Sequence, residues 1–221
     1  MTEPTVSIVM PAFNRGATID AALASVRGQI RPPDEVVIVD DASDDDTAAR
    51  VEGWADQLPI TLVRNTTNLG CGWSRRRAVQ AASGDVIAPL DGDDVWLPDH
   101  LSTVVPLAAD ESTIVATRYR RWQPNVGMDL HASSARPVPP PSEQPAAILR
   151  DNFLFSGSLA RRTAILDIGG GSTARRADDW EVWIRLIVEG GCRAVPSPHA
   201  TVLYRAHPGS LSVLDGCLPE E

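Results

Sequence analysis

An apolar run in the stretch IAPLDGDDVW ends in three aspartates, Asp91, Asp93 and Asp94, separated by a single glycine. Carboxylates this close repel one another, so either water solvates all of them or a cation sits among them. Magnesium and manganese are commonly held by one or two carboxylates together with substrate phosphates, and this group supplies that set. If the segment stays extended, its i, i+2 spacing sends Asp91 and Asp93 to one side and Asp94 to the other. A solvated acidic turn that caps the next helix remains the competing reading, although Pro98 looks better suited than an aspartate to begin that helix. An EF-hand fits poorly, because neither DGDDVW nor DDASDDD places glycine at the sixth loop position.

Other polar residues gather at equivalent places along the chain. Pro11, Ala12 and Asn14 follow one apolar run, Asp40 ends a second and leads into DASDDD, and Asn68-Leu69-Gly70 follows a third. Each group alone suits helix capping or a turn. All four fall after apolar strands, however, and in an open parallel sheet ligands bind outside the carboxyl ends of the strands. A carboxylate at the depth of Asp40 can accept from a ring N–H of a nucleobase. Arg75 and Arg76 lie early in a helix, where positive charge opposes the dipole, which weighs toward a ligand role for at least one of the three arginines Arg75, Arg76 and Arg77.

The elements that must position these residues alternate. TVSIVM, EVVIVD, ITLV, VIAPL and TIVATRY read as strands, with helices expected over 17–29, 44–57, 72–82 and 98–109. Near-continuous apolar strands separated by helices predict an α/β fold with a mostly parallel sheet flanked by helices. Residues 123–145 contain six prolines and little periodicity and read as a long loop. Beyond it, FLFSGSLARR reads as a strand and turn, RTAILDI as a short helix stopped by Gly169–Gly171, and 180–189 as an amphipathic helix with Trp180, Trp183, Ile184, Ile187 and Val188 on one face. ATVLYRAHPGSLSV reads as a strand running into a polar turn. The expected organisation is one domain, with a first half over 1–122, the loop, a second half over 146–213 and a tail over 214–221.

Composition narrows the partners. The 221 residues carry a net charge of -9, and every fixed side-chain cation is an arginine, since lysine is absent. That balance disfavours nucleic acid and anionic membrane surfaces as nonspecific partners. The three cysteines, Cys71, Cys192 and Cys217, form no CxxC pair, so no disulfide framework or zinc knuckle is expected. Neither a signal peptide nor a membrane-spanning run is evident, and a soluble, cytoplasmic protein is expected.

Taken in order, PAFN, VDDASDDDT, NLGCGWSRRRAV, ASGDVIAPLDGDDVWLPDHL, ADDWEVWIRLIVEGG and YRAHPGSLS resemble the signature of family 2 glycosyltransferases with the GT-A fold, over residues 5–212. The resemblance implies a metal-dependent, inverting transfer of a sugar from a nucleotide-diphosphate sugar, a UDP-sugar first among them, to an acceptor hydroxyl on a glycan, lipid-linked or small molecule. It assigns Pro11, Ala12, Asn14, Asp40 and Arg75 to the nucleotide, with Asp40 and Arg75 on the base, and Asp91 to the ribose. It places Asp93 on Mn2+ or Mg2+, His207 near the diphosphate or metal, and Asp179 as catalytic base. Three positions depart from the pattern: Ala42 replaces a glycine, Arg76 replaces an asparagine, and GGGSTARR stands where a phenylalanine and acidic residues are usual. The last lies beside the expected acceptor site.

The chemistry of the residues agrees. Departure of a diphosphate needs a cation to offset its charge, and the incoming hydroxyl needs a base. Asp179 at a helix N-terminus can be that base, with the dipole expected to lower its pKa, or it can simply cap the helix. His207 also reads as a surface histidine in a polar turn. Two other functions stay in view, a sugar nucleotidyltransferase and a nucleotide-binding module of the same fold without turnover. The first usually needs a glycine-rich basic loop after the first strand, which MPAFNRGATID is not.

Overall fold

The computed structural model describes residues 3–108, 110–123, 127–133, 137–175 and 177–205. The first half alternates as expected: β1 (Val6–Ala12), α1 (Ile19–Arg27), β2 (Glu35–Asp40), α2 (Thr47–Glu52), β3 (Ile60–Arg64), α3 (Cys71–Ala81) and β4 (Val86–Pro89). Every pairing within this half is parallel, in the order β3-β2-β1-β4, with Ala12 opposite Asp40 and Val9 opposite Pro89. The strand order reverses beside β1, which is where an open parallel sheet leaves a crevice at its carboxyl edge.

These strands read as unbroken apolar runs because both of their faces are buried. Ile8, Met10, Val36 and Ile38 pack on one side against Ile19, Leu23 and Val26 of α1. Val9, Val37, Val39 and Ile87 pack on the other against Ala78 and Val79 of α3. Period-two alternation thus feeds two cores.

The second half contains β5 (Val95–Trp96), α4 (His100–Val104), β6 (Thr113–Gln123), β7 (Gly127–Ser133), α5 (Gln144–Ile148), β8 (Leu159–Arg161), α6 (Arg162–Asp167), α7 (Asp178–Ile184) and β9 (Arg193–Arg205). Here β8 runs antiparallel to both β4 and β6, β9 is parallel to β6, and β5 is antiparallel to β9. The sheet is therefore mixed, nine strands among the described residues, and its parallel character is concentrated in the first four.

Two expectations are corrected. The helix placed over 98–109 is shorter, because Val95 and Trp96 first pair with β9 and the helix starts at His100. The loop placed over 123–145 contains β7, a partner of β6, and α5. Main-chain ladders need no amphipathic period, so β7 left little trace. At the start of α5, buried Gln144 works as a piece of strand: its amide nitrogen donates to Ala194 O at 2.9 Å and its amide oxygen accepts from Ala194 N at 2.8 Å. Residues 124–126, 134–136 and the tail over 214–221 lie outside the described residues.

The helix expected over 180–189 begins at Asp178 and ends in a widened π turn over Arg185–Glu189, with Trp183, Leu186 and Ile187 buried. Val188, assigned to the same face by periodicity, is 45% exposed, as the π turn rotates the last residues off the apolar stripe. Among the described residues no helix is long and apolar enough to cross a membrane.

Candidate active site

The carboxyl edge of β1, β2 and β4 gathers the polar residues into connected pairs. Pro11 and Ala12 are the buried end of β1, and Asp41 N donates to Ala12 O at 2.8 Å, tying the first loop to the second. Asn14 takes a left-handed backbone, φ 52°, which asparagine tolerates well. Its N–H donates to Ser43 Oγ at 3.0 Å and its Oδ1 accepts from Asp44 N at 2.9 Å. Asp40 is 5% exposed, and its Oδ1 accepts from Ser43 N at 3.3 Å. Ala42 stands at φ 61°, so the departure from glycine noted in the sequence retains a conformation that glycine adopts without strain.

Asp41 organises the next loop. It accepts from Asn65 Nδ2 at 2.6 Å, Leu69 N at 2.9 Å and Gly70 N at 2.7 Å, which fixes the chain entering α3. The capping role expected for this acidic group thus falls partly to Asp41, which holds the third loop and the residue that precedes α3.

The DGDD segment is a turn, closed by Asp94 N to Asp91 O at 3.0 Å. The extended arrangement on which the i, i+2 reading depended is therefore absent, and the three carboxylates part ways. Asp94 goes inward, 2% exposed, and accepts from Arg205 N at 2.9 Å. Burial, reinforced by Asp91 and Asp93, pushes its pKa well above the ordinary carboxylate value. Asp93 meets Arg15 at 3.4 Å. Asp91 accepts from Arg75 at 2.8 Å and from Ser156 Oγ at 3.3 Å.

Arg75 is the hub. One terminal nitrogen meets Asp91 at the end of β4, and the other meets Asp178 at the head of α7. Burial opposes its charge, but Asp178, Cys71 and Asp91 more than compensate and raise its pKa. The fork geometry of guanidinium suits two carboxylates at once. Close approach of α7 to α3 also requires Gly72, because a Cβ there would lie 2.3 Å from Ala174 O and 2.9 Å from Asp178 Cβ.

With Asp178 committed to Arg75, Asp179 accepts a long contact from Asn152 Nδ2 at 3.4 Å and a backbone hydrogen bond from Trp180. Its pKa is raised above the model-peptide value of 3.8, burial being the largest cause, Arg75 pulling against it and Asp178 adding to it. The sequence argument expected the helix dipole to lower that pKa; burial wins. Cys71, on the first turn of α3, has its thiol pushed up to about 12 by burial.

Among the described residues no three or more His, Cys, Asp or Glu side chains form a complete metal cage. Asp91 and Asp93 are nonetheless the hard oxygen donors that Mg2+ or Mn2+ takes alongside phosphates, so the residues fit a shared rather than a closed site. His207 lies outside the described residues. Sequence reasoning gave no individual role to Arg15, Asp41, Asn152 or Arg205. Arg15 adjoins PAFN, Asp41 lies within VDDASDDDT and Arg205 within YRAHPGSLS, so each could have been found there; Asn152 carries no local signal.

The family model described as glycosyl transferase family 2 matches residues 7–183. WfaP of Escherichia coli, a UDP-Glc:alpha-D-GlcNAc-diphosphoundecaprenol beta-1,3-glucosyltransferase, is 27% identical over 207 residues, covering 94% of this chain and 79% of the relative. The mannosyltransferase PcManGT from Pyrobaculum calidifontis, solved with GDP-Man and Mn2+, has a TM-score of 0.75 at 25% identity, covering 97% of this chain and 60% of its own. TarS 1-349 of S. aureus in complex with UDP-GlcNAc has a TM-score of 0.73 at 20% identity, covering 94% of this chain and 60% of its own, a likeness of fold. The chain spans 65%, 62% and 42% of the length of three further curated relatives that it matches. The α/β fold is that of GT-A glycosyltransferases. With its family model spanning β1 through most of α7, the chain belongs to glycosyl transferase family 2.

Proposed function

We propose that the protein transfers a sugar from a nucleotide-diphosphate sugar, a UDP-sugar, to an acceptor hydroxyl with inversion at the anomeric carbon. One observation carries the reading: Arg75 ties Asp91, at the carboxyl edge of the nucleotide half, to Asp178, beside Asp179. Donor-side and acceptor-side carboxylates thereby share one rim.

The nucleotide half binds. Pro11, Ala12 and Asn14 shape the loop over the nucleotide, Asp40 accepts from the base, Asp91 holds the ribose, and Arg75 fixes Asp91 from behind while remaining within reach of the base. Asp93, with Asp91 nearby, would hold Mn2+ or Mg2+, and His207 is a further candidate ligand. A divalent cation there supplies Lewis-acid stabilisation of the charge that builds on the departing diphosphate.

Asp179 removes the proton. Its raised pKa makes it a stronger base than an ordinary surface aspartate, and its neighbour Asp178 is already ion-paired with Arg75, which leaves Asp179 for the acceptor. As the acceptor O–H proton passes to the Asp179 carboxylate, the oxygen forms a bond to the anomeric carbon. The opposite bond, to the diphosphate oxygen, breaks and its electron pair leaves with UDP. Attack from the far face inverts the centre, so an α-linked donor yields a β-linked product.

The test is a donor screen read by mass spectrometry and by release of free nucleotide. UDP release from a UDP-sugar, dependent on Mn2+ or Mg2+, is expected. Consumption of nucleoside triphosphates alone would indicate a nucleotidyltransferase, and binding of UDP without turnover of any nucleotide sugar would indicate a module without activity.

A further inference from the structure

The segment 169–175 lies along α3 as a strap. Gly169, Gly170 and Gly171 all have positive φ, at 97°, 82° and 123°. A Cβ on Gly171 would lie 3.3 Å from both Cα and Cβ of Arg76, and one on Gly70 would lie 3.2 Å from Arg175 Cγ. Two departures from the family pattern, Arg76 for asparagine and the glycine strap for a phenylalanine and acidic residues, therefore face each other. The bare glycine backbone leaves room for the arginine.

What the strap exposes is unusual in a chain of net charge -9. Trp73 is 45% exposed and Leu69 39%. The Arg76 guanidinium carbon stands 5.7 Å from the Trp73 ring centroid, and Arg175 reaches Asn68 O at 3.4 Å. Neither arginine has a carboxylate partner among the described residues. Arg76 also lines a small cavity together with Asp178 and Asp179, so this arginine links the patch to the proposed base. An indole offers its face to the apolar C–H face of a pyranose, and two guanidinium groups offer forked donors to phosphoryl oxygens.

We propose that Trp73, Arg76 and Arg175 form an acceptor subsite for a sugar that bears a phosphoryl group, the ring resting on the indole and the phosphate on the guanidinium groups. The inference rests on the glycosyltransferase reading above and gives its acceptor a chemical class. It places the acidic group of the acceptor on the α3 side of Asp179, away from Asp93.

Isothermal titration calorimetry at low salt tests it, with UDP and Mg2+ held saturating so that the donor pocket is filled. The probes are decyl glucoside, glucose 1-phosphate and decyl diphosphoglucose, with the same three built on N-acetylglucosamine. At least one phosphorylated probe is expected to bind about tenfold or more tightly than its neutral counterpart, and Arg76→Gln and Trp73→Ala each to weaken it by about tenfold. Preference for the decyl diphosphate over the 1-phosphate identifies a lipid-anchored acceptor, and the reverse a free phosphorylated glycan. Equal binding of neutral and phosphorylated probes, no binding of any probe, or unchanged affinity in Arg76→Gln overturns the subsite. UDP binding by the unaltered protein is measured first: its absence removes the glycosyltransferase reading itself, whereas UDP binding without a phosphoryl preference removes this inference alone.

Discussion

Strands β1–β4 pair with one another only in parallel, and all but the edge strand β3 run through buried apolar sequence, whereas β5–β9 mix directions and carry arginines and tyrosines such as Arg118, Tyr119, Arg121 and Tyr204. In the first half the backbone delivers the polar loops to one edge, because parallel strands must end together. In the second half nothing in the ladder forces a residue toward that edge. Single side chains do it instead: Arg75 draws in Asp178, Ser156 leans on Asp91, and Arg205 bonds Asp94 and, through Nε, Asp93 O at 2.8 Å. The nucleotide side is built by topology and the acceptor side by contacts, so point changes should separate the two functions.

The largest separation comes from Asp179→Asn. Transfer is expected to fall by about 10²–10⁴-fold, the usual worth of a general base, while UDP affinity stays within about twofold. Steady-state kinetics beside UDP titration checks this, and comparable turnover would remove Asp179 from the role. In the unaltered enzyme the base works only when ionised. Since its pKa is raised, activity should fall, as pH drops, at a pH above the ordinary aspartate value of 3.8.

Gly72→Ala attacks the contact between the halves. Its methyl must displace Ala174 O or the head of α7, at about 1–3 kcal/mol by urea denaturation, with kcat falling more than donor KM rises. An alanine variant with unchanged stability would show that α3 and α7 are not tightly apposed.

His100 tests a stitch on the opposite side. It is fully buried, stacked on Trp96 with centroids 4.1 Å apart, and its Nδ1 lies 2.7 Å from Thr201 Oγ1 of β9. Burial lowers its pKa from 6.5 to about 3. The unfolded chain therefore takes up a proton that the folded one refuses. Stability from the neutral ring is whole above about pH 6.5 and is lost as pH falls toward the folded value, by up to roughly 1.4 kcal/mol per pH unit. In His100→Phe that acid slope should flatten, whatever the change in baseline stability.

The smallest effect belongs to the nucleotide half. Ala42→Gly relieves a left-handed alanine and should add about 0.5–1 kcal/mol to stability with little change in activity.

Legibility in the sequence divides along the same line. The strands of the first half could be read because burial on both faces leaves continuous apolar runs, and Asn14, Asp40 and Asp91 because they follow those runs directly. The pairing of Arg75 with Asp178 spans 103 positions and leaves no periodic mark. Strand β7 was hidden because ladder bonds use the main chain, and Gln144 because its side chain substitutes for a strand. The spacing sets Asp94 apart from Asp91 and Asp93 but does not show its burial, since the backbone N–H that receives it belongs to Arg205, far along the chain. Asp179 was given a lowered pKa from its place on a helix, as burial by α3 and the strap belongs to tertiary packing.

The central claim is that Asp93 helps hold a divalent ion against a nucleotide diphosphate at this rim. Thermal unfolding with UDP, Mn2+ or both tests it most directly. At about 100 times its Kd the pair should stabilise the protein by about 2.7 kcal/mol, a rise of about 5–10 °C in Tm, far beyond the sum of the separate additions, and Asp93→Asn should lose the Mn2+-dependent part. No rise with the pair, or the same rise in Asp93→Asn, would contradict the account.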